Sequence, residues 1–395
     1  MGNIALKDYV QTEFEDLRRD LNEGSIPKVA ADYQECLNQM QNLPLHIAVT
    51  GQAGAGKSSF VNAFRGVSDD DEEAAKVAVG EGTNMPMAYP HPSFPNIKIW
   101  DLPGIGTCGF KAAEYLKKVQ FERYDVFIVV TADRFTENDA LLAKEIQRMR
   151  KKFYYVRTKV DVSIDGERRR RNFNLEETLG TMRKYCEGSW RRVGELPARV
   201  FLISKWQVHM YDFPLLQERM AAELPDHKKH ILTLAVQIFS EENLMMKKAE
   251  MKSYIKKVAW VSCACGALPV PGSSIACDVA ILLDALKCFR KVFGLDERSL
   301  HFLALQTGKG FTELRSAIQE SPLADTISID FVTSLLLRSA VYVSVAGVEL
   351  LLYSIPLLGS LFGGASSFAT TYYFLNDYLE KAVEDARRVH KMFLK

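Results

Sequence analysis

Five short apolar runs recur through the first half of the chain: Leu45–Thr50, Ile97–Trp100, Val126–Val130, Phe153–Val156 and Val200–Ile203. Each is bounded by polar or Gly/Pro-containing segments, which reads as a strand rather than a buried helix. Between the third and fourth, Leu142, Ile146 and Met149 share one helical face behind Thr136 and Asp139, a pair that resembles a capping box. Strands alternating with helices over 44–210 predict a mainly parallel sheet covered on both faces, an α/β fold. In such a fold the ligand site lies at the carboxyl ends of the strands. After about 210 the strands stop and helical periodicity takes over through 211–395. Ahead of the first strand, Val10, Phe14, Leu17 and Leu21, then Tyr33, Leu37 and Met40, predict helices within 1–43, broken at Gly24-Ser25-Ile26-Pro27. Their apolar stripe must pack on something later in the chain.

Two long stretches, Val258–Cys277 and Leu350–Asn376, carry no charged side chain. Gly266, Pro269, Pro271 and Gly272 break the first, and Pro356, Gly359, Gly363 and Gly364 break the second. The resulting short apolar segments predict buried helices rather than membrane spans, with the second stretch the stronger candidate for contact with lipid. The tail Tyr378–Lys395 is amphipathic, with Leu379, Val383, Ala386, Val389 and Phe393 along one face. It reads as a helix closing the bundle, or as a lipid-surface contact. The acidic loop Asp69–Glu73 and the basic run Arg168–Arg171 fall between elements and are expected to be solvated.

Composition narrows the classes. At 395 residues, 47% hydrophobic and 25% charged, the chain can bury the cores of two domains. Lys+Arg 50 against Asp+Glu 49 gives a net charge of +1, so no global field steers it to nucleic acid. Seven cysteines without paired metal-ligand spacing predict reduced, buried thiols of a cytosolic protein. Asp8, Glu13, Glu15 and Asp16 leave no apolar core for a secretion signal. Gly2 meets the entry requirement for myristoylation, but Leu6 stands where that signal carries a hydroxyl.

Chemistry collects at the predicted strand ends. Gly51-Gln52-Ala53-Gly54-Ala55-Gly56-Lys57-Ser58 follows the first strand and opens a helix through Ser59, Phe60, Val61 and Phe64. Its glycines let the backbone bend around an anion, and its N–H groups join the positive end of the helix dipole. Lys57 is expected to reach the outer phosphates of a nucleotide and the Ser58 hydroxyl to hold Mg²⁺. Asp101-Leu102-Pro103-Gly104 follows the second predicted strand, where Asp101 can hold the metal and the Gly104 N–H can reach a terminal phosphate. Thr83 is the threonine of the intervening Gly80–Asn84 loop and the candidate for a switch residue on Mg²⁺ and the γ-phosphate.

Thr158-Lys159-Val160-Asp161 follows the fourth run. The Asp161 carboxylate can accept two hydrogen bonds from the guanine Watson–Crick edge, while the Lys159 stem covers the ring. Adenine lacks both donors; at about 1.5–3 kcal/mol for each charge-assisted bond, guanine is favoured by roughly two to four decades. Ser204-Lys205, after the fifth run, fits a last base-contacting loop. Small GTPases carry a water-orienting glutamine directly after the Asp-x-x-Gly glycine; here that position is Ile105. An isoleucine cannot orient water, so the missing catalytic part is expected from a second copy or another partner.

Gly51–Ser59, Thr83, Trp100–Thr107 with its Leu-Pro-Gly-Ile-Gly string, Thr158–Asp161 and Phe201–Lys205 resemble the interferon-inducible immunity-related GTPases. Thr158 departs from the asparagine more common there. The resemblance extends over nearly the whole chain and implies a P-loop GTPase domain joined to an all-α domain built from both terminal segments. It further implies GTP/GDP and Mg²⁺ as ligands, GTP-dependent self-association through the nucleotide domains, possible pairing with related GTPases, and recruitment to intracellular membranes around pathogens. Lys57 matches the lysine that marks the effector branch. A non-hydrolysing nucleotide-gated regulator and a dynamin-like membrane-remodelling scaffold remain the alternative functions.

Overall fold

A computed structural model describes residue 35 and residues 43–77, 85–105, 111–132, 136–192, 199–266, 273–321, 327–334 and 362–392. The expected N-terminal helices, Gly2, Thr83 and residues 350–361 of the Leu350–Asn376 stretch lie outside these residues. The described residues group into two compact units, one containing Met245–Leu295 and Ile318–Ala386, the other Gln41–Leu244, Asp296–Ala317 and Arg387–Lys395. The sheet-bearing unit therefore takes in more of the chain than the strand–helix alternation of 44–210.

The strands are Leu45–Gly51 (β1), Met87–Pro90 (β2), Ile97–Asp101 (β3), Val126–Thr131 (β4), Lys152–Arg157 (β5) and Val200–Leu202 (β6). They form one sheet in the order β2-β3-β1-β4-β5-β6. β1, β3, β4, β5 and β6 pair in parallel and coincide with the five apolar runs. All six β4 residues are buried, the near-continuous apolar pattern of a sheet covered on both faces. β2 is a strand the periodicity did not predict. It pairs antiparallel to β3 at the sheet edge, its residues are largely exposed and it ends in Pro90, so neither alternation nor β-propensity marks it.

Helices Lys57–Arg65 (α1), Ala112–Lys118 (α2), Glu137–Arg148 (α3), Val160–Glu167 (α4) and Leu175–Arg192 (α5) are interleaved with the strands. Leu116, Leu142, Ile146 and Cys186 from these helices pack with Phe127 and Tyr155 of the sheet in one core cluster. Phe60 and Phe64 of α1 meet Phe213, which opens the next helix, Phe213–Glu223 (α6). Asp226–Ala235 (α7), Glu241–Gly266 (α8), Ser273–Val292 (α9), Glu297–Thr307 (α10), Phe311–Ser316 (α11) and Phe362–Lys391 (α12) complete the helices with complete described bounds. The charge-free stretch Val258–Cys277 falls on the end of α8 and the start of α9. Among the described residues no helix is long and apolar enough to cross a membrane. Leu379, Val383, Ala386 and Val389 of α12 are buried, as the amphipathic pattern requires of a packed helix.

In the helical unit, buried polar side chains are joined to one another. Ser262 Oγ donates to Asp278 Oδ1 at 2.6 Å and lies 2.9 Å from Thr371 Oγ1, while Ser367 Oγ donates to Asp278 Oδ2 at 2.9 Å. Burial raises the Asp278 carboxyl, and these serine bonds oppose the rise. The fully buried Asp385 carboxylate accepts the backbone N–H groups of Gln319, Glu320 and Ser321, satisfying amides at a turn with no regular structure of its own.

Asp70–Glu73 of the acidic loop are exposed, as the charge run predicted, while Asp69 at its start is half-buried. Asp69 accepts from Asn62 Nδ2 at 2.8 Å and from Lys205. Arg65, 3% exposed, donates to Glu73 O and Pro90 O at 3.0 Å each, and Glu73 also pairs with Arg298. Burial lowers the Arg65 guanidinium to about 10. A buried cation on α1 needs acceptors, and the loop is folded back to supply them. Arg168–Arg171 are exposed, as the charge run predicted.

The Thr136–Asp139 capping box is present at α3. Asp139 Oδ2 accepts the Thr136 N–H at 2.9 Å and the Thr136 hydroxyl at 2.8 Å. Asp139 is 0% exposed, and burial pushes its carboxyl up to about 6 against the lowering effect of these bonds. The unfolded chain returns the group to about 3.9. Between these values rising pH takes the proton from the unfolded chain first, so this group's contribution to stability falls through about pH 4–6 and is level above. Asp139→Asn is expected to remove that fall and to leave the chain about 1 kcal/mol more stable at neutral pH. Urea titrations at acidic and neutral pH check this; an unchanged pH slope in the variant would count against it.

Candidate nucleotide site

β1 ends at Gly51, and the chain turns through Gly54 and Gly56 in left-handed backbone, φ 74° and 88°. Gly56 caps α1 and, as a glycine, offers no side-chain acceptor to the first α1 amides, the positive end of the helix. Lys57, 7% exposed, donates from Nζ to Gln52 O at 2.9 Å. Burial lowers its ammonium, and the charge of Asp101 opposes the shift. A desolvated cation beside a helix N-terminus suits an anion.

Ser58 Oγ donates to Asp101 Oδ2 at 2.6 Å, joining the start of α1 to the end of β3. Among the described residues no group of three or more His, Cys, Asp or Glu is placed to hold a metal. A hydroxyl and a carboxylate alone suit Mg²⁺, which keeps several waters and takes nucleotide phosphate oxygens as its other ligands. Loop, lysine and Ser58–Asp101 pair therefore fit a Mg²⁺-nucleotide. Gly104 approaches the phosphate loop closely: a Cβ there would stand 3.0 Å from the Ala53 backbone nitrogen, so a side chain would press the loop aside by a few tenths of an ångström. Its loop is held by the buried Tyr115 hydroxyl, which donates to Pro103 O at 2.8 Å and lies 2.9 Å from Thr50 Oγ1.

The base-side loop follows β5. Thr158 is buried, and its hydroxyl donates to Ala55 O at 2.7 Å and Thr131 O at 3.1 Å, tying this loop to the phosphate loop. An asparagine is not required for that tie, which accounts for the departure at this position. Lys159 takes left-handed backbone, φ 55°, costly for a side-chain-bearing residue and typical of functional loops. The Val160 N–H donates to Ile203 O, bringing the loop after β6 alongside. There Ser204 is buried, and Lys205 reaches Asp69.

A cavity of ≈ 1020 Å³ runs between these loops. Its lining includes Ala53, Gly54, Gly56, Lys57, Ser58, Ser59, Gly104, Thr158, Lys159, Asp161 and Lys205. Gly51, Gln52, Ala55, Asp101 and Ser204 are not among the lining residues; Gln52, Ala55 and Asp101 join the loops through the bonds given above. Lys76, Val77, Met85, Met87, Tyr89, Val162 and Trp206 also line it, and no motif singled them out. A second contact without a motif is Gln52 Nε2, which donates to Thr136 Oγ1 at 2.7 Å and so ties the phosphate loop to the capping box of α3. Ile105 is fully buried, its N–H donating to Gly51 O at 3.0 Å.

A six-stranded sheet in this order, with a phosphate loop after β1 and a Thr-Lys-x-Asp loop after β5, defines a P-loop GTPase domain. The profile of the Interferon-inducible GTPase (IIGP) family matches residues 10–392, and the chain belongs to that family. It is 41% identical over 382 residues to Interferon-inducible GTPase 5 of Rattus norvegicus, covering 95% of this chain and 81% of that protein. Interferon-gamma-inducible GTPase 10 of Mus musculus is 34% identical over 369 residues, covering 93% and 86%. Interferon-inducible GTPase 1 of Mus musculus is 36% identical over 286 residues, covering 72% and 69%.

Proposed function

We propose that this chain binds GTP and GDP with Mg²⁺ and hydrolyses GTP in a site completed by self-association. In this reading Lys57 and the loop amides hold the phosphates, Ser58, Asp101 and Thr83 hold the metal, and the Gly104 N–H meets the γ-phosphate. Thr158, Lys159, Asp161, Ser204 and Lys205 form the base side, with Asp161 selecting guanine. The bound Mg²⁺ would neutralise charge developing on the phosphates as the terminal bond breaks. Recruitment to membranes around intracellular pathogens is the cellular role suggested by family membership.

The observation that carries the self-association is Ile105. The position that orients water in small GTPases holds a side chain wholly within the apolar core. Positioning the nucleophile therefore falls to a group outside this wall, and a second copy is the partner the family suggests. The GTPase rate per molecule is expected to rise with protein concentration, measured as phosphate release over a hundredfold range. A constant rate would refute self-activation, and nucleotide binding without phosphate release at any concentration would refute the enzyme.

A further inference from the structure

The loop after β6 carries an indole that the guanine-site motifs do not include. Trp206 is 60% exposed, yet it lines the cleft together with Lys159, Asp161 and Lys205. It is not a loose surface side chain. Its backbone N–H donates to Ser204 Oγ at 3.2 Å, and Lys205 Nζ lies 4.1 Å from its ring centroid. The same ammonium is held by Asp69, so the cation against the indole is itself anchored. β5 and β6 are paired in parallel up to Arg157 and Leu202, which puts the loops bearing Lys159 and Trp206 side by side at the same end of the sheet. A large, oriented aromatic left open to water beside a carboxylate suited to a purine edge is a flat surface for a purine ring.

We infer that Trp206 is the stacking platform for the base, packing on the purine while Asp161 reads its edge. The inference rests on the guanine-nucleotide reading and extends it to a binding residue that the motifs do not name. Stacking is worth about 1–3 kcal/mol per base on alanine substitution, roughly a 5- to 150-fold change in affinity.

The test is calorimetric titration of the full chain and its W206A and W206F variants with GDP and with pyrophosphate, which has the phosphates but no base. W206A is expected to weaken GDP about tenfold or more and to leave pyrophosphate unchanged, with W206F close to wild type because a phenyl ring still offers a face. Indole emission should also be quenched by GDP in the wild type and much less in W206F. Equal GDP affinity in W206A and wild type would overturn the stacking role, and so would parallel losses for GDP and pyrophosphate, which would make Trp206 a support of the phosphate loop. Failure of the wild type to bind GDP while still binding pyrophosphate would instead remove the guanine reading on which the inference stands.

Discussion

Lys57→Ala is expected to lower affinity for GTP and GDP by about two orders of magnitude while leaving the nucleotide-free chain at least as stable as the wild type. The ammonium is held against Gln52 O in a nearly buried position, and desolvation is the dominant influence on it. A folded-state pKa below the unfolded value means that the charged form is disfavoured by folding. The resulting cost is present wherever the unfolded lysine is charged, and it declines as pH rises from the folded pKa to the unfolded one. A phosphate oxyanion would add to the counter-charge that Asp101 supplies, so the group whose desolvation opposes folding is the one suited to hold the ligand. Removing one partner of a desolvated charge pair costs about 2–5 kcal/mol of binding. Calorimetry with GDP beside thermal melts without nucleotide separates the two effects. Unchanged affinity would remove Lys57 from the site, and a large loss of ligand-free stability would make it a structural residue.

Gly51→Ala is expected to cost more than about 4 kcal/mol of folding stability, a large part of the roughly 5–15 kcal/mol that a domain commonly has. Gly51 lies at φ 140°, and a Cβ there would stand 2.0 Å from Val130 O and 3.0 Å from Val130 C. Val130 is its register partner on β4, so no side-chain rotation relieves the clash and the two central strands would have to part. Gly54→Ala is the informative control. It also has positive φ, 74°, but nothing lies within 4 Å of the added atom. Only the left-handed backbone term of about 1–2 kcal/mol then applies. Urea denaturation of both variants checks the difference; similar stabilities would show that the β1–β4 approach is not the constraint.

The five parallel strands, the capped start of α3 and the loops after β1, β3 and β5 were legible in residue order. Each depends on neighbours within a few positions, such as an apolar run before a glycine turn or a hydroxyl three residues before an acid. What could not be read depends on residues far apart. Gln52 meets Thr136 across 84 positions and Lys205 meets Asp69 across 136, and neither pair shares a local pattern. The acidic loop is exposed at Asp70–Glu73, as its adjacent charges imply, but nothing nearby shows that Asp69 pairs with Lys205 or that Arg65 is buried against Glu73 O. β2 carries no period because it is an exposed edge whose hydrogen bonds come from β3.

Residue order thus defined the chemistry available at this site: a phosphate loop, a hydroxyl and a carboxylate suited to Mg²⁺, and a carboxylate suited to guanine. It could do so because phosphate and base recognition use short segments whose spacing is local. Folding determined which of those segments face one cavity, that Ile105 points into the core, and that Trp206 stands open on the cavity wall beside Asp161. Those outcomes follow from strand order and burial, which are properties of the packed sheet and not of any one stretch of sequence.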